Sequence, residues 1–266
     1  GSHAYAFVYR WSDNPADPQS WSLPQAVGSC ATYPSLVCTR EGELLLTHRI
    51  SPPSDRWGVN FVRRTADGWS WPYKFIQAPA TLYTFPTHSL ALGLDGTLHL
   101  VVEFYKTFPN NLSPSHSMAV AHLESPDNGT TWYHTDGRKV DAAPVGLEDT
   151  SPVRFKGGGD LRPGNVIVMP DNQPAFPLYD AKAGTYELAV RRADRAWHFI
   201  DLTAALAEMH PGWVVNYQGQ VAVDKTGNLL VVTAMAPESH WAHPGTEICA
   251  LRVNPCTGDV LARLAI

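Results

Sequence analysis

The chain has 266 residues, which suits one large all-β domain or two small domains. Its formal net charge is −5 and no run of Lys and Arg stands out, so we expect no nucleic-acid partner. No apolar stretch approaches the roughly 18 residues that cross a bilayer, so we expect no membrane partner either. Charged residues make up only 17%, whereas 20 Gly, 22 Pro and 11% aromatic residues favour many short strands joined by tight turns.

The first residues and the cysteines bear on the chain's organisation. Residues 1–3, Gly-Ser-His, resemble an expression-tag remnant, and a single domain is predicted over residues 4–266. The four cysteines lack the spacing of a zinc finger, and neither a metal nor another cofactor is expected. They could close two local hairpins, but free thiols are the favoured interpretation. The two possible pairs are Cys30–Cys38 and Cys249–Cys256.

In chain order, the opening segment Tyr5–Val27 holds a single polar hairpin. Four apolar hairpins then recur along the sequence, each with a Gly or Asn in the turn that tolerates positive φ. They span residues 33–47, 89–102, 165–179 and 220–233. The turn residues Gly42 and Gly96 are 54 residues apart, and Asp171 and Gly227 are 56 apart. The middle interval is longer because of a Gly- and Pro-rich stretch at 141–164.

A second, more polar hairpin follows each apolar one. These hairpins span residues 59–71, 118–132, 186–199 and 248–264. Two hairpins in each period of about 54 residues make one four-stranded antiparallel blade, and nearly all-apolar inner strands are typical of blades covered on both faces. The sequence therefore predicts an all-β fold, a β-propeller of about five blades. It is either a compact five-bladed ring with one degenerate blade or part of a larger ring.

One short helix is predicted at residues 201–209, where Pro211 and Gly212 stop it. A sharper motif precedes it. Residues 125–132, Ser-Pro-Asp-Asn-Gly-Thr-Thr-Trp, fit the Asp-box pattern S-x-D-x-G-x-T-W at every fixed position. Its side chains suit a structural hairpin turn on the outer rim, with Gly129 at positive φ and Trp132 packed beneath. The fixed residues are Ser125, Asp127, Gly129, Thr131 and Trp132.

With this motif, the chain resembles the BNR-4 group of propellers, which includes ulvan lyases and other polysaccharide lyases that act on uronic acids. The resemblance lies in residues 32–49 and 125–137 and more weakly in 216–224. It implies a carbohydrate-active propeller of the sialidase-like superfamily, secreted to an extracellular or periplasmic location. The implied partner is a polysaccharide or oligosaccharide, and the protein is expected to be a monomer.

The resemblance also implies three catalytic residues. The lyases carry a catalytic Tyr in a Tyr-Pro motif and an Arg at the end of the following strand, and Tyr33 and Arg49 occupy these places. The family's catalytic His lies in a His-Asn motif that this sequence lacks, and His88 at the next blade's strand start is the best substitute. Known members are longer, with seven blades.

The chemistry of β-elimination fits these residue types. The enzyme must remove the proton on C5 of the uronic acid and expel the oxygen on C4. A guanidinium such as that of Arg49 pairs with the carboxylate and makes the C–H more acidic. A cation lowers the pKa of a phenol from about 10, so Tyr33 beside Arg49 suits either proton transfer. Each residue also has a plain structural interpretation, as packing or as a solvated charge.

Further residues could bind the sugar, and two other functions compete with the lyase. Tyr105 could line the rim, and Asn216 and Gln218 could hydrogen-bond sugar hydroxyls. A glycan-binding propeller without catalysis would need only aromatic and amide side chains. A sialidase-like hydrolase would need three arginines and an acidic pair, and the Arg-Ile-Pro motif that marks the first arginine is absent.

Overall fold

The computed structural model describes residues 5–12, 14–51, 55–65, 67–79, 88–106, 116–155, 159–239 and 243–265. Residues 1–3, predicted to be a tag remnant, lie outside this set. The described residues form five sheets of antiparallel strands, which confirms the predicted all-β propeller. Within these ranges, no helix has the length and apolar character needed to span a membrane.

The first sheet is the half blade predicted from the opening segment. It contains only β1 (Phe7–Tyr9) and β2 (Gln25–Val27). The first full blade follows, with β3 innermost and β6 and β7 sharing the outermost position because both pair with β5. Its strands are β3 (Ala31–Cys38), β4 (Leu44–Ile50), β5 (Gly58–Thr65), β6 (Gly68–Trp69) and β7 (Tyr73–Gln77).

The second blade repeats this plan, with β8 innermost and an outermost position shared by β11 and β12. Its strands are β8 (His88–Leu92), β9 (Leu98–Lys106), β10 (His116–Ser125), β11 (Tyr133–His134) and β12 (Pro152–Phe155). A 3-10 turn at Leu147–Asp149 precedes β12.

In the third and fourth blades the inner strand is split instead. The third blade contains β13 (Leu161–Pro163), β14 (Ile167–Val168), β15 (Pro174–Asp180), β16 (Thr185–Arg191) and β17 (Trp197–Asp201). The helix α1 (Thr203–Met209), within the predicted range, leads to the fourth blade. That blade contains β18 (Val214–Val215), β19 (Gln220–Val223), β20 (Leu229–Ala236), β21 (Glu247–Val253) and β22 (Val260–Ala265). The two gaps in the inner strands hold residues 164–166 and 216–219.

Each pair of neighbouring sheets buries its own apolar core. Phe61 and Phe75 of the first blade pack with Leu98 and Phe104 of the second. Smaller clusters join the half blade to the first blade and the second blade to the third, and the largest lies between the third and fourth. All four cysteines are free thiols, and the buried Cys249 belongs to this last core.

A repeated hydrogen bond joins the inner strands of successive blades. A polar side chain on one inner strand accepts the backbone N–H of the next inner strand, as Ser35 Oγ does from Leu90. The three bonds are Leu90 N to Ser35 Oγ at 2.9 Å, Val166 N to Ser89 Oγ at 3.1 Å and Val221 N to Asn165 Oδ1 at 2.7 Å. Ser89 and Asn165 directly precede the donors Leu90 and Val166 along the chain, so successive bonds involve adjacent residues and fix the register between blades.

The turn at residues 125–132, whose sequence fits the Asp-box pattern and which we call the Asp-box turn, joins β10 to β11 at the end of the second blade opposite the inner-strand starts. Asp127 accepts hydrogen bonds from the Ser125 hydroxyl at 2.9 Å and from Thr131 N at 2.7 Å. Gly129 has φ of +84°, and a Cβ there would lie 2.5 Å from Phe61 Cζ of the first blade. Trp132 is buried, and its indole donates to the Gly129 carbonyl at 3.0 Å. The turn therefore also anchors the first blade to the second.

A buried polar cluster joins the second and third blades. His99 Nδ1 and His122 Nε2 are 3.0 Å apart while their ring centres are 5.3 Å apart, so the nitrogens point at each other and share one hydrogen. Burial lowers the pKa of His99 to about 4, and burial also lowers that of His122 well below its usual value. Beside them, Glu124 accepts from Arg191 at 2.5 Å and from Arg195 at 2.6 Å.

This histidine pair predicts an acid-sensitive stability. Unfolded His99 binds a proton near pH 6.5 but folded His99 only near pH 4. The unfolded state therefore takes up more protons as the pH falls, and stability is lost in this window. We expect the free energy of unfolding to drop by about 2 kcal/mol between pH 7 and pH 5 from His99 alone. Denaturant titrations at the two pH values measure it.

The matched control is the double variant His99→Leu with His122→Leu. Both histidines are replaced because a single replacement would leave the other buried imidazole without its hydrogen-bond partner. The double variant should lose a smaller part of its stability between pH 7 and pH 5 than the parent. Equal pH dependence of the two proteins would contradict the prediction.

Asp127→Ala provides a separate test of the turn. We expect it to lower the free energy of unfolding by about 1 kcal/mol, the usual scale for a lost side-chain to backbone hydrogen bond. Asp194→Ala is the control, because it removes the same kind of bond from another turn. There the Asp194 carboxylate accepts from Ala196 N at 2.9 Å in an exposed position. Loss of ligand binding with unchanged melting would show that the turn has another role.

Candidate functional site

The candidate site is a cavity of about 380 Å³ at the end of the blades where the inner strands begin. We call it the axial cavity, because residues from the inner strands of all four full blades line it. Tyr33 and Ser35 come from β3, His88 and Ser89 from β8, and Gly164 and Asn165 from the gap between β13 and β14. Tyr217, Gln218 and Gln220 come from the fourth blade. The lining is thus phenol, imidazole, hydroxyl and amide.

Tyr33 has an unusual backbone conformation. It is the third residue of β3, which begins two residues earlier than predicted, and its φ is +54°. The pairing of β3 with β4 shifts between Thr32 and Ser35, so Tyr33 lies in a β-bulge. Non-glycine residues at positive φ are uncommon and cluster at functional sites, where a bulge redirects a side chain. Here the side chain is directed into the cavity and is 43% exposed.

Arg49, near the end of β4, lies behind Tyr33. Its guanidinium carbon is 4.4 Å from the Tyr33 ring centre and 5.0 Å from that of Trp57, and its Nε donates to Thr32 Oγ1 at 2.7 Å. The hairpin thus brings Tyr33 and Arg49 together. Arg49 is 0% exposed, however, so it contacts the buried face of the Tyr33 ring. It is not among the described residues that line the axial cavity.

The other predicted site residues divide into two groups. His88 is the first residue of β8, is largely buried and lines the axial cavity, as does Gln218. Tyr105 and Asn216 are not among the described residues that line it. Tyr105, at the end of β9, lies against Arg162 of the third blade, 5.4 Å from ring centre to guanidinium carbon. The Asn216 backbone N–H donates to the Ala234 carbonyl at 2.8 Å, which ties the 216–219 gap to β20.

Sequence reasoning missed Tyr217, which lies in the sequence between the predicted residues Asn216 and Gln218. Tyr217 has 56% of its surface exposed and lines the axial cavity. It also missed Ser89 and Asn165. Like Ser35, each of them lines the cavity and accepts a backbone N–H from the inner strand of the next blade. The repeat itself carried this signal, since 54 residues separate Ser35 from Ser89.

A possible metal-binding cluster lies elsewhere. His99, His122 and Glu124 have ligand atoms within 4.8 Å of one another, and His99 and Glu124 line a second cavity of about 420 Å³ at the opposite end of the blades. The imidazoles already bond to each other, and two guanidinium groups hold Glu124. Because those positive charges oppose a cation, we interpret the cluster as a contact between blades.

Solved structures with the same fold include enzymes that act on carbohydrates. An ulvan lyase, a polysaccharide lyase, matches with a TM-score of 0.68 and 12% identity over 93% of this chain and 58% of its own. The α-L-arabinofuranosidase of Fusarium graminearum matches with a TM-score of 0.57 and 14% identity, over 100% of this chain and 71% of its own. The α-L-arabinanase of Penicillium chrysogenum matches with a TM-score of 0.54 and 14% identity, over 99% of this chain and 70% of its own. At these identities the likeness establishes the fold, and the chain spans little more than half the length of the lyase.

No curated protein sequence matches the chain. The model of one family, described as "BNR repeat-containing family member", matches residues 1–205, which is well over half of the sequence. The repeated blades, the turn at 125–132 and this match lead to one conclusion: the chain belongs to the BNR repeat-containing family.

Proposed function

We propose that this protein is a polysaccharide lyase that cleaves an anionic polysaccharide at a uronic acid by β-elimination. The observation that carries the proposal is the placement of Tyr33, an exposed phenol on a bulged strand in the same cavity as His88 and backed by the buried Arg49. The ulvan lyase of the same fold has been solved with a chain of glucuronic acid and rhamnose 3-sulfate, which makes ulvan the first substrate to test.

In the proposed reaction, Tyr33 and His88 divide two proton transfers. One of them takes the proton from C5, and the electron pair of the C5–H bond forms the C4=C5 double bond. The C4–O bond breaks at the same time, and the other residue protonates the departing oxygen. The products are a new non-reducing end with an unsaturated uronate and a shortened chain, so atoms and charge balance without a co-reactant.

Arg49 acts in this proposal from beneath the Tyr33 ring. Its positive charge is 4.4 Å from the ring centre and fully buried, where charge interactions are screened less than in water. It would favour the ionised phenol and attract a carboxylate lying on the cavity face of the ring. We therefore assign Arg49 as a positioning residue for Tyr33.

Two other functions remain as alternatives. A glycan-binding propeller without catalysis is favoured by the exposed rings of Tyr33 and Tyr217 and the amide of Gln218, which suffice to hold a sugar. A sialidase-like or other hydrolase needs paired carboxylates, and the sialidase needs arginines as well. The described residues that line the axial cavity include neither type, which favours the lyase over the hydrolase.

The replacement Tyr33→Phe tests the chemistry. Because only the hydroxyl is lost, we expect ulvan binding within about twofold of the parent and a rate of product formation lower by about 10²- to 10⁴-fold. Ultraviolet absorbance of the unsaturated product measures the rate. Tyr9→Phe is the control, since the Tyr9 hydroxyl bonds Gln25 in the half blade. No unsaturated product from the parent with ulvan or other uronate polymers would favour the binding alternative.

The replacement Arg49→Met tests the positioning role by keeping the side chain long while removing its charge. If Arg49 favours the ionised phenol, the limb of the pH profile that reports Tyr33 should move to higher pH in the variant, whether it is the rising limb of a base or the falling limb of an acid. Melting temperatures of both proteins control for the loss of a buried contact. A lower melting temperature with an unchanged pH profile would leave Arg49 with only a structural role.

A further inference from the structure

The segment 216–219, in the gap of the fourth blade's inner strand, presents an aromatic ring to the axial cavity. Tyr217 is 56% exposed and lines the cavity that Tyr33, 43% exposed, also lines. Single exposed aromatic residues are common on protein surfaces and need no explanation. What distinguishes Tyr217 is the way in which the structure fixes its backbone.

Hydrogen bonds hold the segment from below. The Thr233 hydroxyl donates to the Tyr217 carbonyl at 2.7 Å, and the Tyr186 hydroxyl donates to the Gln218 carbonyl at 2.9 Å. Tyr186 is fully buried, and this burial raises the pKa of its phenol, so it remains a donor. Two buried hydroxyl groups thus satisfy two successive carbonyls of a surface segment.

Close backbone contacts restrict the segment further. Gly219 has φ of +75°, and a Cβ there would lie 2.4 Å from the Tyr186 hydroxyl and 2.4 Å from the Val232 carbonyl oxygen. A Cβ on Gly164 of the third blade would lie 2.4 Å from the Gly219 carbonyl oxygen. The backbone of the segment is therefore held by close contacts with both blades, and the Tyr217 side chain extends from it into the axial cavity.

Rigid, exposed rings are suited to binding because little conformational entropy is lost when a ligand covers them. The C–H face of a pyranose is apolar and can lie flat on such a ring, while its hydroxyls need polar partners. The amides of Gln218 and Gln220 line the same cavity beside Tyr217.

We propose that Tyr217 is the stacking platform for a pyranose residue bound next to the sugar that meets Tyr33, and so a specificity-determining residue of the axial cavity. The inference rests on the proposed function only in requiring that the cavity take a sugar chain. Tyr217 would contribute to binding and not to proton transfer, so its loss would appear in affinity and in KM while kcat stays within about twofold.

The experiment measures binding and turnover separately, in the full chain. Calorimetry with ulvan-derived tetrasaccharide, in a Tyr33→Phe background so that no product forms, gives the dissociation constant. We expect Tyr217→Ala to weaken binding at least about tenfold and Tyr217→Phe, which keeps the ring, to stay within about twofold. Trp71→Ala is the control, because Trp71 is 94% exposed and is not among the residues lining the cavity.

The outcomes separate the two proposals. If Tyr217→Ala weakens binding but the parent forms no unsaturated product, the platform stands and the lyase proposal fails. If Tyr33→Phe abolishes product formation while Tyr217→Ala binds and turns over like the parent, the lyase stands and the platform is wrong. Equal weakening by Tyr217→Phe and Tyr217→Ala, or by Trp71→Ala, would also overturn the platform, and so would a parent that binds no ulvan tetrasaccharide.

Discussion

The hydrogen bond from each inner strand to the next is the constraint on which the site depends. In each bond, a side chain of one blade accepts a backbone N–H from the inner strand of the next blade. The acceptors are Ser35, Ser89 and Asn165. The interaction fixes the height of one blade relative to its neighbour, which apolar packing alone does only loosely because it is non-directional. As a result Tyr33, His88 and residues 217–220 converge at one end of the blades and enclose a single cavity.

The two ends of the blades are built differently. At the end opposite the axial cavity, the Asp-box turn, the histidine pair and the Glu124–Arg191 ion pair connect neighbouring blades through buried contacts. At the cavity end, the inner strands of the third and fourth blades are interrupted and that of the first is bulged. At the bulge and in the gaps of the inner strands, residues such as Tyr33, Asn165 and Tyr217 line the axial cavity.

The sequence predicted the blades well because the same pattern recurs. A single short apolar segment is a weak prediction of a strand, but several copies at a regular spacing support one another. Four copies of one pattern identified the hairpins, and turn residues such as Gly42 and Gly96 located them closely. The site was predicted less completely. The hairpin brought Arg49 to Tyr33, but strand alternation does not reveal a bulge, so the positive φ of Tyr33 and the burial of Arg49 behind its ring were not foreseen. Tyr217 was missed because its exposure depends on Thr233 and Tyr186, which reach it from other strands.

The burial of Arg49 changes how positive charge can act at this site. An exposed guanidinium would pair with a substrate carboxylate directly but would be screened by water and salt. Beneath Tyr33 and against Trp57, the charge keeps its strength, and Thr32 fixes its orientation before any ligand arrives. Tyr33 lines the cavity and Arg49 does not, so in the proposed reaction one aromatic residue would carry the reacting hydroxyl and lie directly against the cation. The positive φ of Tyr33 lies in the bulge of β3, and at this bulge the ring both contacts Arg49 and lines the cavity.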